Sequence, residues 1–200
     1  MSDYIEFAGA MRRALAILSP PDAAVSLLGC TLCTPGGRVR IVETEAYAGT
    51  EDPASHAYRG QTKRNEVMFG PPGYAYIYLN YGIHWLLNVT ARPEGEPSAL
   101  LIRAVRHLEP DEQTPSLAGP GRLTFRLGIG KELNGVDLLD EDSPIHIAPG
   151  ERVNEILVAP RVGLAEGRGH ETPWRFIAAC DVAYASRPHR GTLVKRGTRC

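Results

Sequence analysis

Two glutamates, Glu43 and Glu45, stand two residues apart in the run Arg38–Ala46, which has the character of a β-strand. In a strand both point to one face, roughly 6–7 Å apart along the chain. Carboxylates are unfavourable on a buried strand face, so either this face meets solvent or at least one glutamate is held where it acts as a base. Tyr47 and His56 follow at the entry to a loop, a position that often carries catalytic groups, and complete a candidate acid–base site. The second group of interest is aromatic. Tyr74, Tyr76 and Tyr78 share one face of the alternating run 74–79, and Tyr81 lies in the turn Asn80-Tyr81-Gly82 behind it. Six of the eight tyrosines (47, 58, 74, 76, 78 and 81) fall within residues 47–81. Tyr74 and Tyr76 are equally well read as core, whereas a ring at a hairpin tip has little core to reach. Such a ring can wedge between stacked bases, and rings on the adjoining strand can stack a base taken out of a helix.

Other constellations lead away from metals and phosphate cradles. Gly70-Pro-Pro-Gly73 is a turn with no Walker lysine behind it, and the adjacency Ser55-His56 does not make a nucleophilic triad. The six histidines contain no HxxxH or HExxH pair, so neither a catalytic metal nor another cofactor is expected. Cys30-Thr-Leu-Cys33 has CxxC spacing, but in a strand residues three apart point to opposite faces, and Cys180 and Cys200 form no second close pair. Four reduced thiols are expected. What remains is a metal-free reaction with a carboxylate base.

These residues need elements to hold them. Ile5, Phe7, Met11, Leu15 and Leu18 predict an amphipathic helix over residues 3–18, ended by Pro20-Pro21, and 22–28 predicts a short second helix closed by Gly29. The period then changes to two: residues 32–34 and 39–46 flank Pro35-Gly36-Gly37 as a hairpin. Residues 48–73 predict a long functional loop. Residues 74–79 and 83–89 predict the second hairpin, 99–105 an apolar strand, 109–121 a loop, 122–127 a helix, and 156–158 and 176–179 two further strands. The sum is one loop-rich α+β domain over residues 1–200 with an antiparallel or mixed sheet.

Composition agrees with that class. A chain of 200 residues with 43% hydrophobic and 22% charged residues is long enough to bury a substantial core. Its longest apolar run, Tyr74–Leu79, is six residues, against roughly 18 or more for a membrane span. The first twenty residues lack the pattern of a signal peptide, so the expected address is the cytoplasm. The net charge of −1 is unevenly spread: residues 53–108 carry six basic and three acidic residues, 186–200 five basic and none acidic, and 137–155 six acidic and one basic. A polyanion can meet one face while another stays acidic, although a basic tail is equally well simply solvated.

The string Arg40-Ile-Val-Glu-Thr-Glu-Ala-Tyr47, followed by Asp52, His56, Thr62-Lys-Arg-Asn65, Met68-Phe69 and the hairpin from Tyr78 to Asn88, resembles the alkyladenine (3-methyladenine) DNA glycosylase family. Leu100-Leu-Ile-Arg103-Ala and Gly119-Pro-Gly-Arg-Leu123 continue in the family's order, so the resemblance covers about residues 20–185 and leaves the tail 186–200 outside it. It implies a curved antiparallel sheet with peripheral helices and a protruding hairpin presented to the minor groove of double-stranded DNA. It also implies that Glu45 activates water for attack on C1′ of a flipped deoxynucleotide and that Arg103 lies near that water. Tyr47, His56, Tyr78 and Asn88 line the base pocket, with Asn88 disfavouring normal guanine, and Tyr81 fills the space the base leaves. Arg59, Lys63, Arg64 and Arg122 are the expected contacts to the DNA backbone. At His84 relatives can carry an aromatic.

The chemistry implied is monofunctional base excision on alkylated or deaminated purines by a monomer. Alkylation at N3 or N7 leaves a positively charged purine, already a good leaving group, so a water nucleophile and an electron-rich pocket suffice. A carboxylate beside C1′ both activates water and stabilises an oxocarbenium-like state. The weak net charge predicts modest DNA affinity that falls steeply with salt. Two other readings remain open: a non-catalytic nucleic-acid shape reader that keeps the hairpin wedge, and a nucleoside or sugar hydrolase or transferase using Glu43 and Glu45 as a carboxylate pair.

Overall fold

The computed structural model describes residues 2–108, 116–187 and 191–195. Ser2–Ile17 forms helix α1, which turns Phe7, Met11 and Leu15 towards the core, with Leu18 packed just beyond its end. Ile5 was expected on the same stripe but is 65% exposed, because at about 100° per residue it lies far round the helix from the others. Pro20 and Pro21 do more than end α1: they open α2 (Pro20–Ser26), two residues earlier than the sequence suggested. Proline at the first helical positions sacrifices no intrahelical bond, and Ser19 caps the helix by accepting the Asp22 N–H at 3.3 Å.

The chain then builds a sheet. β1 (Thr31–Thr34) and β2 (Gly37–Tyr47) form the first hairpin. After a long loop containing only two single turns of 3₁₀ helix come β3 (Ala75–Asn80), β4 (His84–Thr90) and β5 (Ala99–His107). β6 (Leu117–Ala118), α3 (Pro120–Leu127), β7 (His146–Ala148), β8 (Glu155–Ala159), β9 (Arg175–Ala178) and β10 (Thr192–Lys195) complete it. The order is β10-β8-β9-β2-β5-β4-β3, with β1 also on β2, β7 on β1 and β6 on β5; every pairing is antiparallel. β6, β7 and β10, at two to four residues each, are too short to carry a measurable period in the sequence. β10 places Thr192–Lys195 of the basic tail in an edge strand, while Arg190, Arg196, Arg199 and Cys200 lie outside the described residues, as do residues 109–115 of the predicted loop.

The two faces of the sheet differ. One carries Ala46, Ala75, Ile77, Leu87, Val89, Leu100 and Ile102 into the main core, which Leu15 of α1, Leu27 beyond α2 and Leu123 and Leu127 of α3 close from the helix side. Burying each such large aliphatic side chain contributes about 1.5–3 kcal/mol. The other face carries Tyr76, Asn88, Leu101 and Arg103 towards the long loop, where Met68 and Ala57 pack against Tyr76. Helix α3 sits close under the β3–β4 hairpin: a Cβ on Gly121 would lie 2.7 Å from His84 Cβ, so only glycine allows this approach. Cys30, Cys33 and Cys180 are free thiols. No helix among the described residues is long and apolar enough to cross a membrane.

Candidate active site

The placement of the two glutamates depends on a bulge. Val39 and Ile41 point into the main core, and Thr44 and Ala46 do so as well, Thr44 donating its hydroxyl to the Ala24 carbonyl of α2 at 2.9 Å. The alternation therefore inverts at Val42, where the register with β5 shifts between Ile41 and Glu43. A compensating shift between Glu43 and Thr44 passes over Arg103 on β5. The paired irregularities turn Glu43, Glu45 and Arg103 together onto the face away from the helices.

Both glutamates have no exposed surface, which overturns a solvent-facing carboxylate pair. Glu45 Oε2 accepts from the Tyr47 hydroxyl at 2.9 Å and from Arg103 Nη1 at 3.1 Å; Oε1 accepts from the Val162 N–H at 2.7 Å. Burial raises the Glu45 pKa above the ordinary carboxylate range, against the pull of Arg103, the Val162 N–H and the Tyr47 hydroxyl. Burial and Glu45 hold the Tyr47 phenol protonated, so it remains a donor. Burial works against the Arg103 charge, but Glu45 and Glu43 outweigh it and raise its pKa.

Glu43 is enclosed more completely. It accepts from Arg103 Nε at 3.0 Å, Arg175 Nε at 2.6 Å, and the Ser186 N–H and hydroxyl at 2.6 and 2.7 Å. With two guanidinium groups and Ser186 around it, Glu43 is a brace for Arg103, and the reading that uses both glutamates as a reacting pair loses its second partner. Arg175, Arg161 and Val162 were not singled out from sequence. Arg175 and Arg161 are buried arginines with carboxylate partners more than a hundred residues away, and Val162 contributes only its backbone.

In front of Glu45 lies a cavity of about 340 Å³, within the roughly 300–1,000 Å³ typical of ligand pockets. Tyr47, His56, Tyr78, Asn88 and Arg103 all line it, joined by Tyr76 and Val162. Glu45 stands directly behind the wall made by its partners Tyr47, Arg103 and Val162. His56 Nδ1 is 2.8 Å from the Tyr76 hydroxyl, and its ring meets Tyr78 edge-on with centroids 4.4 Å apart. Partial desolvation of the ring, then Arg64, lower the His56 pKa, although the residue keeps exposed surface. The Tyr78 phenol is pushed up to about 12, chiefly by burial. Asn88 donates its amide to the Tyr76 and Leu86 carbonyls at 3.0 and 3.5 Å, which fixes its rotation. Tyr74, expected on the same stripe, lies outside the cavity with Arg12 over its ring at 5.6 Å.

Tyr81 stands at the hairpin tip, 84% exposed, and its φ of +50° with Gly82 at +70° shows the paired positive φ of a tight hairpin turn. A non-glycine residue there is strained, and the ring, though exposed, borders the cavity and not the core. Ile83 beside it is also exposed. Arg59 and Lys63 in the long loop and Arg122 on α3 are exposed; Arg64 donates to the Leu79 carbonyl at 3.2 Å and lies 5.5 Å from the Tyr78 ring centre. Among the described residues no group of three or more His, Cys, Asp or Glu side chains has the geometry of a metal site.

An exposed, strained ring thus stands at the hairpin tip, and an aromatic cavity lies at the root of the same hairpin with a buried carboxylate behind its wall. Such an arrangement suits an enzyme that acts on the bases of a polynucleotide. Residues 16–181 match the family model for methylpurine-DNA glycosylases, and the chain belongs to that family. Similar proteins provisionally named 3-methyladenine DNA glycosylase come from Nitrosospira multiformis (41% identical over 182 residues, 86% of this chain and 91% of the relative), Rhodopseudomonas palustris (43% over 180 residues, 84% and 83%) and Methanocella arvoryzae (42% over 171 residues, 78% and 85%). The chain is accordingly a DNA-repair hydrolase of N-glycosyl bonds that binds DNA.

Proposed function

We propose that this enzyme turns alkylated purines such as 3-methyladenine out of duplex DNA and hydrolyses their glycosidic bond with water activated by Glu45. The observation that carries the reading is the buried Glu45 carboxylate, held by Tyr47, Arg103 and the Val162 N–H directly behind an aromatic cavity. Tyr81 enters the stack as the nucleotide leaves it. The base lies against Tyr47 and Tyr78, with His56 at its edge and Asn88 set against the exocyclic amine of guanine. Tyrosine faces attract a cationic purine more than a neutral one. As the C1′–N bond breaks and its electron pair leaves with the purine, the Glu45 carboxylate, fixed by Arg103, stabilises the developing oxocarbenium by its negative charge and takes the proton of the water whose oxygen bonds to C1′. Arg59, Lys63, Arg64 and Arg122 take the DNA backbone. Every group in this scheme comes from one chain, so a monomer suffices for it.

A neutral base such as hypoxanthine needs a proton on leaving, and His56 is poorly disposed to give one. The test is base release from methylated duplex and from a single-hypoxanthine duplex, comparing wild type with Glu45→Gln in the presence of chelator. Release of methylpurine by wild type alone, with DNA binding kept by both, is the expected result, and the hypoxanthine lane sets the substrate range. Intact DNA binding with no release from either duplex would instead make the protein a shape reader.

A further inference from the structure

Arg161 and Asp52 form an ion pair with side chains only 1% and 2% exposed. Asp52 accepts from Arg161 Nη1 at 2.5 Å and Nη2 at 2.9 Å, while Nη1 also reaches the Ala46 carbonyl at 3.0 Å and Nη2 the Gly169 carbonyl at 3.3 Å. Asp52 in turn accepts the N–H groups of Ala48 and Ala54 at 3.2 and 3.0 Å, ordering the loop that leads to His56. The guanidinium carbon lies 4.8 Å from the Tyr47 ring centre and 5.3 Å from that of Trp174. Arg161 Nε is buried and has no hydrogen-bond partner among the described residues.

A buried ion pair is weak evidence for stability, since desolvation offsets its attraction, and an unpartnered N–H adds to the penalty. Its position is more informative. Arg161 immediately precedes Val162, whose N–H meets Glu45, and it packs on Tyr47, whose hydroxyl meets the same carboxylate. One ion pair thus ties together the end of β2, the loop to His56 and the segment 161–164.

We propose that Asp52 and Arg161 are positioning residues for base excision, holding the Val162 N–H on Glu45 and the Tyr47 ring in the plane against which the base stacks. This rests on Glu45 being the general base. Glu45 is also faced by Glu43 and Tyr47 on its own strand, Arg103 of β5, Tyr78 of β3 and Arg175 of β9, opposite it in register. Of its donors, only the Val162 N–H is positioned by this pair through the backbone. Lysine at position 161 keeps the charge but loses both the fork and the stacking.

The test is the pH dependence of methylpurine release from methylated duplex by Arg161→Lys and Asp52→Asn. Arg40→Lys, which disturbs the likewise buried pair with Asp181 away from Glu45, serves as the control. Expected for Arg161→Lys are a kcat lower by on the order of 10- to 100-fold, a KM changed far less, and an acid limb moved to higher pH because Glu45 loses a donor to its ionised form. Arg40→Lys lowers the Tm without moving that limb. A wild-type limb in folded Arg161→Lys, or the same limb shift in Arg40→Lys, overturns the proposal. Asp52→Asn decides the matter if Arg161→Lys does not fold, and failure of both to fold would show that the pair serves the fold alone. Release by Glu45→Gln would overturn the Glu45 reading itself, an outcome read separately from these.

Discussion

At Glu45 the fold sets two demands against each other, a carboxylate without solvent and three donors that favour its ionised form. Burial prevails, and the proton is held more tightly than on an ordinary glutamate, near pKa 4.3 in the unfolded chain. The base we propose works only unprotonated, so base release is expected to fall on the acid side with a limb above that ordinary value, and Glu45→Gln is expected to remove the activity that defines the limb. A pH–rate profile under single-turnover conditions checks this. Tyr81 is the opposite case, an exposed side chain on a strained backbone. Tyr81→Gly removes the ring and relieves the positive φ, so the Tm is expected to hold or rise by an amount worth up to about 1 kcal/mol. Excision from duplex should fall steeply, and excision from methylated single strands much less. Thermal melts beside the two assays separate the ring's role from the fold.

At the scale of elements, the paired bulges in β2 and β5 decide what the site contains. Without the extra residue at Val42, Glu43 and Glu45 would continue the face of Val39 and Ile41 and point into the main core. With it, Glu43 becomes the shared acceptor of Arg103 and Arg175 and fixes β5 and β9 to the centre of β2. Glu43→Gln keeps the shape but removes the negative charge that Arg103 and Arg175 share, leaving Glu45 as the carboxylate on Arg103. A loss on the order of 3–5 kcal/mol is expected in denaturant unfolding, larger than for replacing an exposed glutamate such as Glu51.

At the scale of the whole molecule, the two sheet faces divide the labour: helices cover one, and the long loop with segment 161–164 builds a cavity on the other. A second buried charge cluster holds the far part of the sheet, where Asp181 accepts from Arg40 at 2.8 Å and from Arg106 at 2.6 Å. Burial pushes the Asp181 pKa up, but the two arginines outweigh it and the net shift is downward. The unfolded chain, with aspartate near 3.9, therefore binds this proton more readily than the folded one. The stabilisation is complete above that unfolded value and is lost as pH falls through the lowered folded one. The stability gap between wild type and Asp181→Asn is thus expected to be full at neutral pH and to close on acidification, as urea unfolding over a pH series would show.

The sequence by itself determined most of the elements, because each is written in local period and punctuation: the stripe of α1, the hairpin across Pro35-Gly36, the alternation of β3 and the turn that exposes Tyr81. It also carried the family, since the string from Arg40 to Tyr47 with His56 behind it is local. Only the tertiary structure decided that Glu43 braces Arg103 while Glu45 stands behind the cavity wall, since a bulge leaves no mark in the period and two glutamates two residues apart are alike in sequence. Arg161 and Arg175 were illegible for a related reason. A buried arginine is indistinguishable in sequence from a solvated one until the fold brings its carboxylate from more than a hundred residues away.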